Sequence, residues 1–314
     1  MTSRQSSPVY RTPCFLITGS AWRSPRSVIR PFSNTLAIST SPTANTCSSG
    51  THDALVLASV RLTIHPRFFE SRSSPSDDPL VLWLSGGPGC SSSLGLLFEL
   101  GPCLITRGGN ATVHNPHSWN TRANLLFIDQ PIGVGYSYAT DGSSVSTSPT
   151  AAKDVYAFFQ LFMRRFPQYA HLPLHVAGES YAGRYIPHIA TEIYENNKAI
   201  TKDDPRQGLG EGQGLVPIHL ASIMIGNGLV DPITQMPTIV EYACEGPYAI
   251  YDDPSGTECT ALRQAAPVCE KMIEACYRFE SRLTCIPANA FCWNAVFGPV
   301  FSMSSSITLI NCTG

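Results

Sequence analysis

Residues 174–183, LHVAGESYAG, restrict the fold of this chain more than any other stretch. A short apolar run reaches Gly178 and continues into a helix-like segment. Strand, sharp turn and helix in that order form a nucleophile elbow, in which a strained turn lifts a serine hydroxyl above a sheet. Ser180 is that serine. The usual pattern is G-x-S-x-G; here Ala182 stands in the second glycine's place and Gly183 follows it, so the turn has to admit one methyl group. An ordinary strand-to-helix turn, with Gly178 only relieving crowding, is the rival reading.

The stretch upstream favours the elbow. Residues 79–93 read PLVLWLSGGPGCSSS, an apolar strand running into a glycine turn of the kind that aims backbone N–H groups at a developing oxyanion. NLLFIDQPIGVGYSYA follows at 124–139 and GNGLVDP at 226–232. With four motifs in this order, the chain resembles the serine carboxypeptidases of the α/β-hydrolase superfamily, the fungal vacuolar enzymes among them, over roughly residues 67–299. The resemblance implies an α/β-hydrolase fold, a mostly parallel sheet with helices on both faces and a disulfide-rich helical insertion.

At 314 residues the chain is long enough for one large α/β domain. A formal charge of −2 with 14% charged residues argues against a nucleic-acid or anionic-membrane partner. No apolar run reaches the roughly 18 residues of a membrane span. Eleven cysteines favour an oxidising compartment. Residues 1–66 stand apart: the first 52 carry five arginines, no Asp or Glu, and abundant Ser, Thr and Pro, a composition that suits disorder, a misassigned start or a mitochondrial leader. No signal peptide is visible, because the apolar piece at 14–17 is too short for a signal core. Nor is the β-hairpin with which the family's mature enzymes begin.

From Arg67 the pattern becomes regular. An edge strand ends over 67–72, a turn follows at 73–79, and 80–84 is a buried strand. A short helix is expected over 94–100 and a second buried strand over 124–129. Val155, Phe158, Phe159, Phe162 and Phe166 recur at helical spacing across 151–166 and form a core stripe. A helix over 181–197 turns Ile186, Ile189, Ala190 and Ile193 inward. A polar loop at 201–214 leads to another buried strand at 219–225. Strands alternating with helices argue for a parallel sheet, with the core at 67–232.

Residues 233–299 form a separate, cysteine-rich insertion with Cys244, Cys259, Cys269, Cys276, Cys285 and Cys292. Six cysteines allow 15 connectivities. The family resemblance implies a cap over the active site with Cys244–Cys259, Cys269–Cys292 and Cys276–Cys285 paired. A zinc site is the rival, disfavoured because the run has no His and no close C-x2–4-C pair. Cys103 and Cys312 are expected to be unpaired, and Cys90 to bond in the family to a cysteine beyond this chain.

The resemblance also implies the chemistry. Ser180 attacks a peptide carbonyl, and the N–H groups of Gly87 and Tyr181 hold the oxyanion. Trp83, Ser85, Gly86, Glu99 and Glu179 match the positions that bind the free carboxylate of a peptide or protein substrate. Two carboxyl groups there work only if they share protons, which favours acid pH. Ser85 stands where the family has asparagine; it is shorter and offers one donor where an amide has two. Solvated carboxylates are the plainer reading of both glutamates.

In this fold the triad runs Ser, then Asp or Glu, then His. Of the histidines at 52, 65, 114, 117, 171, 175, 188 and 219, only His188 and His219 follow Ser180. His188 suits a helix surface better than a base, and His219 opens a strand. The general base is therefore expected to be missing, and the chain to be a serine carboxypeptidase that is incomplete at its C-terminus, lacking two or more strands and inactive as it stands. Its residues 300–314 no longer resemble the family. A carboxypeptidase-like acyltransferase and a non-catalytic peptide-binding protein are the alternatives. No cofactor or metal is called for. A vacuolar, lysosomal or secreted location follows from the family. Sequons at Asn110 and Asn311 mark glycan acceptors, with Asn110 in a glycine-rich loop.

Overall fold

The computed structural model describes residues 62–106, 108–200 and 215–301. The atypical N-terminal segment, the loop at 201–214, the tail after 301 and, with it, Cys312 and Asn311 lie outside the described residues. Two compact units divide the chain, Met1–Gly228 and Leu229–Gly314.

In the first unit β1 (Leu62–Thr63) leads into β2 (His65–Phe69), and β3 (Leu80–Leu84) follows the expected turn. The expected short helix is present as a wide π-type turn at Gly95–Glu99, closed by the Leu100 N–H on Gly95 O at 3.0 Å. β4 (Cys103–Ile105) and β5 (Thr112–His114) make a hairpin; β6 (Asn124–Asp129) and β7 (Tyr138–Ala139) come next. Then α1 (Ser148–Arg165), β8 (Leu174–Glu179), α2 (Ala182–Ala199) and β9 (Leu220–Gly226) alternate. Helix α1 starts with Pro149 in its first turn, where no backbone N–H is needed, and ends with Arg164 and Arg165, whose charges suit the negative end of the helix dipole.

The main sheet has the order β2-β6-β3-β8-β9, antiparallel only between β2 and β6. Every residue of β3 and β6 is buried, as continuous apolar runs in a parallel sheet require. Leu80, Leu82, Leu84, Leu126, Ile128, Leu174 and Val176 face the aromatic stripe of α1 and the isoleucines of α2. Val81, Trp83, Leu125, Phe127 and Ala177 face the other way, against Leu96 and Leu100 at the wide turn. This is the α/β-hydrolase arrangement. Its fourth parallel strand departs from expectation: β9 is not buried, with Ile223 at 45% and Met224 at 40% exposure. An apolar run reports residue type alone, and among the described residues β9 pairs only with β8, at the edge of the sheet.

The second unit is helical: α3 (Pro232–Cys244), α4 (Thr257–Phe279) and α5 (Arg282–Cys292), ending in a turn at Trp293–Phe297. Ser281 caps α5, its hydroxyl accepting from the Thr284 N–H at 3.2 Å. Disulfides join Cys244 to Cys259, Cys269 to Cys292 and Cys276 to Cys285. Cys90 and Cys103 in the first unit are also disulfide-bonded. The expectation for Cys103 is corrected: it is not a free thiol. A family pattern is silent on a cysteine it does not contain, such as Cys103, and pairing depends on which residues the fold brings together. No helix among the described residues is long and apolar enough to cross a membrane.

Candidate active site

Between β8 and α2 a single residue turns the chain. Ser180 has φ 63°, the left-handed region that non-glycine residues avoid, and Tyr181 is already helical at φ −63°. The Ser180 N–H donates to Gly226 O at 3.0 Å and the Gly183 N–H to Ser180 O at 3.0 Å. The side chain of Ser180 is exposed, at the N-terminal end of α2. Gly178 explains the altered pattern: a Cβ there would lie 2.4 Å from Leu84 O and 2.7 Å from the Ala182 Cβ. Position 182 can carry a methyl group because position 178 carries none.

The glycine turn is pressed against this elbow. A Cβ on Gly86 would lie 2.3 Å from Tyr181 N, 2.7 Å from Glu179 O and 2.9 Å from Ser180 Cβ. Gly87 follows at φ +110°. Neither the Gly87 nor the Tyr181 N–H donates a hydrogen bond within the described residues. Backbone N–H groups without an acceptor of their own are the kind of donor that an oxyanion needs.

Three consecutive serines hold the far side of the turn. Ser91 Oγ donates to Asp129 Oδ1 at 2.5 Å, and Ser92 Oγ to Ile128 O at 2.7 Å while accepting from the Ser85 N–H at 3.3 Å. Arg67 Nη1 donates to Ser93 Oγ at 2.9 Å and lies 3.7 Å from Asp129 Oδ2. Asp129, buried at the end of β6, also accepts from the Tyr136 N–H at 3.1 Å. From the other side Tyr185 on α2 accepts the Gly89 N–H at 3.2 Å, and burial pushes its phenol up to about 12. Sequence reasoning missed Arg67, Asp129 and Tyr185; the SSS run beside a strand end was the one available signal.

Trp83 and Ser85 are alternate residues at the end of β3, and both are buried. Trp83 Nε1 and Ser85 Oγ have no hydrogen-bond partner among the described residues. The Trp83 ring meets Trp119 edge-on at 5.6 Å, and Gly95 leaves it room, since a Cβ there would lie 2.1 Å from Nε1. The Glu99 carboxyl is raised, first by desolvation and then by the charge of Glu179. Glu99 is exposed, so solvent screens much of that effect. The coupling nonetheless brings Glu99 and Glu179 into one electrostatic neighbourhood.

No described imidazole is hydrogen-bonded to Ser180. His188, half-buried on α2, has its pKa lowered by burial and by Arg184. His219 is exposed, and its carbonyl serves the Leu174 N–H at 2.7 Å. His175 Nδ1 pairs with Ser222 Oγ at 2.7 Å. Among the described residues no group of three or more His, Cys, Asp or Glu is placed to hold a metal ion.

Comparison with known proteins agrees with this geometry. The serine carboxypeptidase family model matches residues 60–308. Carboxypeptidase Y homolog A of Uncinocarpus reesii is 49% identical over 234 residues, 74% of this chain and 39% of that protein. The homolog of Sclerotinia sclerotiorum is 47% identical over 233 residues. Kex1(Δ)p, a prohormone-processing carboxypeptidase from Saccharomyces cerevisiae, superposes with a TM-score of 0.58 at 28% identity, over 82% of this chain and 51% of its own. The chain thus spans about two fifths of the length of the curated relatives it matches.

Proposed function

The chain belongs to the serine carboxypeptidase family, and from that premise we propose that it releases C-terminal amino acids from peptides or proteins through an acyl-enzyme on Ser180. Ser180 Oγ attacks the last peptide carbonyl, the C–N bond breaks, the amino acid leaves with a proton on its nitrogen, and water hydrolyses the ester. The Gly87 and Tyr181 N–H groups receive the oxyanion, each supplying about 3–4 kcal/mol of transition-state stabilisation. Trp83 Nε1–H, Ser85 Oγ–H and the Gly86 backbone receive the substrate's carboxylate, and a protonated member of the Glu99–Glu179 pair donates to it. Because the Glu99 carboxyl is raised, binding is favoured at acid pH and weakens as that proton is lost. The disulfides suit the lumen of the secretory pathway, a vacuole or the extracellular space.

The observation that carries this reading is the left-handed Ser180 with two undonated N–H groups beside it. A base must still take the hydroxyl proton, and it comes from outside the described imidazoles; without one, turnover in a comparable triad falls about a millionfold. The bare Ser180 hydroxyl favours a second reading, a protein that binds peptide C-termini without cleaving them. Hydrolysis of a blocked dipeptide and labelling by a fluorophosphonate separate the two. Turnover and labelling abolished by Ser180→Ala support the first, and binding of the dipeptide without either supports the second. Hydrolysis that survives Ser180→Ala would sink both.

A further inference from the structure

The reaction at Ser180 makes no use of the Asn110-Ala111-Thr112 triplet, and we propose that Asn110 is an acceptor site for an N-linked oligosaccharide at the tip of the β4–β5 hairpin. The two strands pair Cys103 with His114 and Ile105 with Thr112, and the Thr106 N–H closes the ladder on Ala111 O at 2.9 Å. Beyond that bond the chain turns outward. Gly109, at φ +68°, has no atom within 4 Å of where a Cβ would sit, and Gly108 leaves the Asn110 side chain uncrowded. Asn110 is exposed, as are Ala111 and Thr112.

Its amide differs from those of two buried asparagines in the same unit. Asn115 Nδ2 donates to Gly101 O at 2.9 Å, and Asn124 Nδ2 to Asp78 O at 2.8 Å, and both residues are buried. Asn110 Oδ1 accepts from Thr106 Oγ1 at 3.3 Å, but Nδ2 donates to nothing among the described residues. The acceptor nitrogen is therefore free, in solvent, two residues before a threonine. Eight cysteines held in disulfides place the folded chain in an oxidising lumen, the setting in which this modification is made. The donor is a polyprenyl-pyrophosphate-linked oligosaccharide. The Asn110 Nδ2–C1 bond forms as the sugar C1–O bond breaks, its electrons leave on the pyrophosphate, and one Nδ2 proton passes to a base of the transferase.

The test is independent of Ser180. The full chain, carrying Asn311→Gln and a cleavable secretion signal, is expressed in a eukaryotic host and digested without reduction. The Cys276–Cys285 peptide selects molecules that reached the lumen. Amidase release of glycans in heavy-oxygen water should leave labelled Asp at position 110 in most of them. Thr112→Ser should keep the label, and Thr112→Val and Asn110→Gln should lose it. Unmodified Asn110 in disulfide-bonded molecules overturns the proposal, as does a label that survives Thr112→Val.

Discussion

A single methyl group at position 86 would sit 2.3 Å from the Tyr181 nitrogen, in backbone that cannot step aside. Gly86→Ala should cost about 1–3 kcal/mol in urea denaturation and abolish peptide binding; an unchanged affinity would show that the turn and the elbow do not share the site. Asp154 gives a different residue-scale test. Its Oδ2 is buried without a hydrogen-bond partner among the described residues, and burial raises the carboxyl from 3.8 to about 6. Between those values the folded state binds more protons than the unfolded one, so stability falls as pH rises through the window, by at most about 3 kcal/mol. Asp154→Asn should remove that slope and stabilise the protein at pH 7. Surface Asp77, Asp78 and Asp253, each lowered by hydrogen bonds, give the opposite slope in both proteins, so the difference between the two curves isolates Asp154. Identical curves would refute the assignment. The elbow was legible at this scale because only a few residue patterns tolerate such a turn, whereas Asp154 sits among helix letters that do not reveal burial.

Between elements, the turn that carries Gly87 is held by groups distant in sequence. Asp129→Ala would leave Ser91, the Tyr136 N–H and the Arg67 guanidinium without their shared acceptor, so a loss of about 3–5 kcal/mol is expected on chemical denaturation. A loss below 1 kcal/mol would mean that solvent replaces Asp129. Tyr185→Phe removes one neutral acceptor and should cost about 1 kcal/mol, with faster amide exchange at Gly89. None of this could be read from sequence. Ser91–Ser93 pass for turn punctuation, and their partners Arg67, Asp129 and Ile128 lie 26 to 38 residues away. The strands of the main sheet and the helices α1 and α2 were legible because periodicity is local, whereas the short pairs β1–β7 and β4–β5 were not read. The exposure of β9 was not, because it depends on what lies beside the sheet.

At the scale of the whole molecule the two units rely on different forces. The sheet unit buries two apolar layers, whereas the helical unit is stapled by three disulfides within 86 residues. Replacing both Cys276 and Cys285 by Ser should cost about 2–3 kcal/mol and admit proteases at 276–285 while Leu174–Glu179 stays protected. Cleavage rising equally in both would contradict independent units. Cysteine spacing alone left the pairing open; the family pattern supplied three bonds but said nothing of Cys103.

The parallel pairing of β3 with β8 sets Leu80 against Leu174, and so carries a consequence for synthesis. At about 5–20 residues per second, roughly 5–20 s pass between the ribosome making one strand and its neighbour. Through that interval β3, the most apolar strand of the sheet, has one edge and one flank unmatched. That side of β3 stays open until the strand that leads to Ser180 has been translated.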